Sequence, residues 1–273
     1  MPFTISHVAA VVPFSRPLAR WRLLSATIIG SMVPDFGFLM PWRPARIETH
    51  SAVALLTFCL PVGLATFWIF QRMIKTAVME VLPDHTYSRW RPLAAPAVLA
   101  SLKQWILAGL GILAGAISHL VWDAFTHEGA RGVRMIPALD DPIVDIAGHR
   151  LIGARLWQDL SSLVGLAIVL GVIIYGLRRD SAADEATVRT LRPRERHVWI
   201  LTYAATSLLL SGLFLVMRRP SLVFGHLGAF MIGNFAIATL RGFAAALVLV
   251  SLGLSLRLRA NHPWSARNES TEL

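Results

Sequence analysis

The sequence predicts an all-α, polytopic integral membrane protein of about six transmembrane helices or partial spans, forming a single helical domain over residues 1–273. Composition is the first reason. Only 15% of the residues are charged and 55% are hydrophobic, with a mean hydropathy of +0.58, whereas an ordinary soluble domain carries roughly 25% charged residues. The second reason is run length. Residues 51–70, 105–124, 160–177, 198–217 and 222–256 approach or exceed the ~20 apolar residues needed to cross a hydrocarbon core, and 23–41 is a weaker sixth. The apolar stretch Val8–Val12 is too short for a cleavable signal peptide and has no basic residue before it, so the first true span is expected to direct insertion.

The arginines set the expected orientation. One set of segments holds Arg16, Arg20 and Arg22, then Arg72, Lys75, Arg89, Arg91 and Lys103, then Arg178 to Arg196, and last Arg257, Arg259 and Arg267. The opposite set, from Arg43 and Arg46 through Arg131, Arg134, Arg150 and Arg155 to Arg218 and Arg219, is poorer in cations. The positive-inside rule places the richer set in the cytoplasm. The expected location is therefore a multi-pass protein of a bacterial inner membrane. The formal net charge of +10 argues for no nucleic-acid partner, because the cations flank apolar spans instead of forming a stripe.

Between the spans, 178–197 reads as a solvated cytoplasmic loop and 126–159 as a polar segment over the outer face, with 198–257 holding the C-terminal spans. Trp42, Trp105, Trp122, Trp157 and Trp199 fall near span ends, where an aromatic belt anchors helices. Cys59, the single cysteine, lies within a span and forms no internal disulfide. Arg241 interrupts the 222–256 run; it either snorkels to the headgroups or binds an anionic group. No internal repeat is evident, which counts against an inverted-repeat transporter.

Chemistry concentrates in Gly115 to His127. His119, Asp123 and His127 recur every four residues, on one helix face at the end of an apolar run, and ionisable groups there are costly unless they function. Positions i and i+4 are neighbours, so His119 and Asp123 can hold one cation together. A continuous helix would part His119 from His127 by about 12 Å, too far to share an ion. Either the helix ends near Thr126, as Gly129 permits, and His127 curls back, or His127 serves a second metal or the substrate. Asp35 follows Pro34 within apolar sequence, where the proline frees backbone groups near a cavity; the plainer reading is a helix cap. His50 opens the span at 51–70 beside Thr49 and Ser51, either of which is a reasonable N-cap, leaving the histidine unexplained.

Residues 1–7 (Met-Pro-Phe-Thr-Ile-Ser-His), 30–36 (Gly-Ser-Met-Val-Pro-Asp-Phe), 49–51 (Thr-His-Ser) and 115–127 resemble the bacterial membrane family catalogued as domain of unknown function 4184. More distantly, their order and types are similar to the YdjM-like inner-membrane metal-dependent hydrolases, with an early His, a Pro-Asp-x-Asp, a T-H-S and an S-H-x-x-x-D. The resemblance covers roughly residues 1–165. It implies a membrane-bound metal-dependent hydrolase with His7, Asp35, His50, His119 and Asp123 as ligands, His127 next, and Asp35 as bridging ligand or catalytic base. Where the distant relatives have a second aspartate, this chain has Gly37, which bears on how many ions are held.

A shared site requires His7 to reach the outer face. A helical hairpin would achieve this, with 5–14 running inward, a basic turn at 16–22, and 23–35 returning to set His7 beside Asp35. Imidazole with carboxylate suits zinc, manganese or iron, and a lipid or phosphoester substrate entering from the membrane suits the place. The alternatives are a cation or proton transporter and a non-catalytic membrane scaffold with a structural metal.

Overall fold

A computed structural model describes residues 4–40, 42, 44–84, 86, 87, 90, 101–146, 149–178, 190–217 and 227–260. The protein is an all-α polytopic membrane protein. Its long helices are Leu55–Val81 (α1), Leu102–Thr126 (α2), Gly153–Arg178 (α3), Pro193–Met217 (α4) and Leu227–Ala260 (α5), and each contains a stretch long and apolar enough to cross a membrane. Contacts divide the chain into two compact units, Met1–Phe67 with Val98–Arg179 and Trp68–Ala97 with Asp180–Leu273.

In the first unit, the N-terminal segment is a hairpin and not a full span. Its outgoing arm is two 3-10 stretches, Thr4–Ala10 and Val12–Phe14, followed by a short helix, Ser15–Arg20. The chain reverses at Arg22, which takes a left-handed φ of 59°, and returns through a helix at Leu24–Gly30 and a 3-10 turn at Val33–Phe38. Pro34, at the start of that last turn, has no N–H to continue a ladder. Residues 23–41 therefore break into two short pieces.

The returning arm packs tightly on α2. A Cβ on Gly30 would stand 2.2 Å from the Ile112 carbonyl oxygen, and one on Gly115 would stand 2.2 Å from the Thr27 carbonyl oxygen. Only glycine admits such an approach. Lipid tails are as apolar as leucine, so helices in a membrane associate through close van der Waals packing of small residues, and Gly111-x-x-x-Gly115 presents such a face. Ile112, fully buried, fills the space beside Gly30 and Gly63.

α2 has defined ends. At its start Ser101 Oγ accepts from Gln104 N at 3.4 Å and Gln104 Oε1 accepts from Ser101 N at 3.0 Å, a reciprocal capping box. At its end His127 turns extended (φ −106°, ψ 132°) and Gly129 has φ +71°. The segment that follows holds two short helices, Arg131–Met135 and Pro137–Asp140, then an antiparallel hairpin of β1 (Pro142–Ile146) and β2 (His149–Ile152), a small strand pair added to the helical expectation. The 3-10 stretch at Thr4–Ala10 lies on α3, where a Cβ on Gly165 would meet the Ser6 carbonyl oxygen at 2.8 Å.

In the second unit, Ala77, Leu191, Leu254 and Leu258 form a buried cluster, with Val81 and Trp199 against it. α1 has a π-helical turn at Phe70–Ile74, and Ser255 Oγ donates to the Met73 carbonyl there at 3.3 Å. α4 starts at Pro193, where Glu195 Oε2 accepts from Arg192 N at 2.8 Å, so the end of the expected 178–197 loop is helical. Arg196 pairs with Asp84 at 2.9 Å and Arg257 pairs with Glu195. α5 is one continuous helix with its apolar span over Asn234–Ala260 and Arg241 inside that span. Residues 179–189 and 218–226, including His226, as well as His85 and His262, lie outside the described residues.

Candidate metal centre

Four separate elements of the first unit deliver the site. The stretch Thr4–Ala10 carries His7, the turn Val33–Phe38 carries Asp35, the one-turn helix Arg46–Thr49 ends on His50, and the last two turns of α2 carry His119 and Asp123. The chain separation is large, yet all five side chains converge. His7 and His119 stack with ring centroids 3.7 Å apart, and His50 meets His119 edge-on at 5.4 Å. The hairpin expectation thus agrees with the structure, which sets His7 and Asp35 in one place.

Distances inside the cluster are too long for hydrogen bonds of normal strength and suit a coordination shell. His50 Nε2 stands 3.5 Å from Asp35 Oδ1 and 3.5 Å from Asp123 Oδ2. His119 Nε2 is 3.8 Å from Asp35 Oδ1 and 3.5 Å from Asp123 Oδ2, and His7 Nε2 is 3.7 Å from Asp123 Oδ1. Two donors bonded at about 2.0–2.1 Å to one tetrahedral ion stand about 3.3 Å apart. Among the described residues two groups could hold a metal: His7 with His119 and Asp123, and Asp35 with His50 and His119, the ligand atoms of each within 4.8 Å of one another.

Satisfaction of the polar atoms points the same way. The Nε2 atoms of His7, His50 and His119 and Oδ1 of Asp123 are buried without a hydrogen-bond partner, a costly arrangement unless something else binds them. The outer nitrogens are engaged. His119 Nδ1 donates to the Ser31 carbonyl at 2.8 Å; a carbonyl only accepts, so Nδ1 carries a proton, and in the neutral ring the Nε2 lone pair faces the cluster. Thr49 Oγ1 donates to Arg46 O at 3.3 Å and accepts from His50 Nδ1 at 2.6 Å, which orients the second ring alike. Thr4 Oγ1 donates to Asp35 Oδ2 at 2.9 Å and leaves Oδ1 toward the histidines. Because His119 offers one lone pair, the two groups describe overlapping halves of a single site.

Burial pushes the His7 imidazole down to about 4, so it is neutral near pH 7. Burial alone would raise the Asp35 carboxyl, but the imidazoles of His50 and His119 beside it and the hydrogen bond from the Thr4 hydroxyl outweigh it and hold Asp35 below the usual carboxylate range. Both are in the protonation state a cation needs.

His127 lies at the edge. α2 ends at Thr126 and His127 curls back, with Nδ1 3.3 Å from Asp123 Oδ1 and Nε2 3.3 Å from Gln158 Nε2. It touches the cluster through Asp123 and belongs to neither of the two donor groups. Burial, reinforced by the Arg46 charge against the pull of Asp123, lowers it from the ordinary histidine value. Sequence reasoning missed the supporting residues Thr4, Ser31, Thr49 and Gln158, and it counted Arg46 only as a topology marker. Arg46 Nη2 in fact donates to Asp123 Oδ2 at 2.7 Å. An arginine four residues before His50, on the cation-poor side, was the available signal.

The model of the family described as "Domain of unknown function (DUF4184)" matches residues 1–252. No curated protein and no solved structure matches the chain.

Proposed function

The chain belongs to the domain of unknown function 4184 family, whose name assigns no reaction, and we propose from the site itself that it is a membrane-bound metal-dependent hydrolase. One observation carries the reading: three histidine Nε2 atoms and a carboxylate oxygen, all buried and unpartnered, face one another at ligand-shell spacing. In this proposal His7, Asp35, His50, His119 and Asp123 hold one divalent ion, zinc, manganese or iron, with His127 next to them. Such an ion supplies Lewis acidity, which lowers the pKa of water and polarises a scissile group.

The residues divide the remaining work. Ser31 and Thr49 fix the tautomers of His119 and His50. Asp35, anchored through Oδ2 by Thr4 and with Oδ1 facing the cluster, acts as ligand or as the base that takes a proton from the attacking water. The cluster sits at one end of α2, in its last two turns, and this supports a reaction at a membrane face over passage through a midplane site. With the arginine bias, that face is the periplasmic side of a bacterial inner membrane, and a lipid or phosphoester is the substrate in reach.

Elemental analysis of detergent-purified wild type beside His119→Ala tests the reading. We expect about one divalent ion per wild-type chain and at least a tenfold fall in retained metal for the variant. A wild type free of transition metal after purification and reloading would refute it. A metal whose removal unfolds the protein, with no hydrolysis in a screen of phosphoesters and carboxyl esters, would instead make it a scaffold with a structural ion.

A further inference from the structure

The proposed centre leaves one charged group without a task. Arg46 lies on the one-turn helix that ends at His50, and its Nη2 donates to Asp123 Oδ2, the oxygen that also faces His50 and His119. Its side chain is about half exposed (51%), while those of His7, His50, His119 and Asp123 are buried. The other guanidinium nitrogens have no hydrogen-bond partner among the described residues. The nearest carboxylate in sequence, Glu48, is committed to the Ala45 N–H at 2.7 Å. A guanidinium at the rim of a buried cluster, tied by one nitrogen and with no second partner among the described residues, is arranged to receive an anion.

Charge balance gives that anion a class. Asp35 and Asp123 neutralise a divalent ion and the histidines add no charge when neutral, so the loaded site carries the Arg46 charge unmatched. A singly charged oxyanion restores balance, and the planar fork of arginine matches the paired oxygens of a phosphoryl group. Resting on the hydrolase reading above, we propose that Arg46 is the substrate-binding residue for a phosphoryl group and that the site takes phosphate esters.

The test uses the full chain in nanodiscs, loaded with Mn²⁺, and measures binding of inorganic phosphate by calorimetry and of phosphatidic acid incorporated in the disc by Mn²⁺ relaxation of its phosphorus resonance. Arg46→Gln should keep the wild-type metal content while weakening phosphoryl binding about ten- to hundredfold, the worth of a charge-assisted hydrogen bond. Arg46→Lys, which keeps the charge and loses the fork, should fall between. Loss in the inorganic arm identifies a soluble phosphoryl group, loss in the lipid arm a headgroup, and either supports the proposal. Equal affinity in wild type and Arg46→Gln overturns it, as does metal loss in Arg46→Gln, which would make the residue a support for Asp123. If the wild type holds no metal, the hydrolase reading fails on its own, and the calorimetric phosphate titration of the metal-free pair still decides Arg46.

Discussion

Gly115→Ala adds one methyl group at the seam that positions His119. The new Cβ would stand 2.2 Å from the Thr27 carbonyl oxygen, 2.5 Å from Ser31 N and 2.8 Å from the Gly30 carbonyl carbon. All three are backbone atoms, so no side-chain rotation relieves the contact. Restoring contact near 3.5 Å requires the returning arm of the hairpin and α2 to part by about 1 Å. The His119 Nδ1 to Ser31 O bond is now 2.8 Å, and that displacement would carry it beyond hydrogen-bond range. Overpacking costs about 1–3 kcal/mol, and the lost hydrogen bond adds about 0.5–1.5 kcal/mol. With the imidazole no longer held in one tautomer, metal affinity should fall about 10–100-fold. The control is Gly171→Ala on α3, where a Cβ meets nothing within 4 Å and the substitution should be neutral or stabilise the helix by up to about 1 kcal/mol. Thermal unfolding in detergent and metal titration read both effects. Gly115→Ala with the melting temperature and metal affinity of the Gly171→Ala control would refute the argument that this seam sets the site.

Asp35→Asn keeps shape and removes charge, so the variant should insert and fold normally while any phosphoester hydrolysis falls by about a hundredfold or more, the usual worth of a positioned base; unchanged turnover would remove Asp35 from the chemistry. Reporter fusions at about residues 90 and 187 should behave as cytoplasmic and one near residue 140 as periplasmic, following the arginine bias. The inverse pattern would move the site to the cytoplasmic face without altering its residues.

Much of this arrangement was legible in the chain because it rests on short-range rules. Run length located the spans, although α1 extends to Val81, past the expected end at 70. The i, i+4 spacing put His119 and Asp123 on one face, and Pro34 marked where a span could not continue. The requirement that His7 share a face with Asp35 predicted a hairpin. The small-residue face Gly111-x-x-x-Gly115 was equally visible and went unread, although it decides which segment α2 packs against.

What escaped the sequence depends on long-range geometry. The carbonyl of Ser31 becomes the His119 partner only because Gly30 and Gly115 let two backbones touch, and nothing in the residue type of Ser31 announces it. Thr4 reaches Asp35 across 31 positions and Arg46 reaches Asp123 across 77. His127 shows the boundary between the two kinds of knowledge. Its spacing left two outcomes open, and α2 ends at Thr126 with the imidazole beside Asp123 but in neither donor group. The His127 N–H still bonds the Asp123 carbonyl, so the ring keeps its i, i+4 place beside Asp123 while the chain beyond it leaves the helix. Local spacing thus placed His127 next to Asp123, whereas its other neighbour, Gln158 Nε2 at 3.3 Å, comes from α3, 31 positions away, and only the fold could supply it.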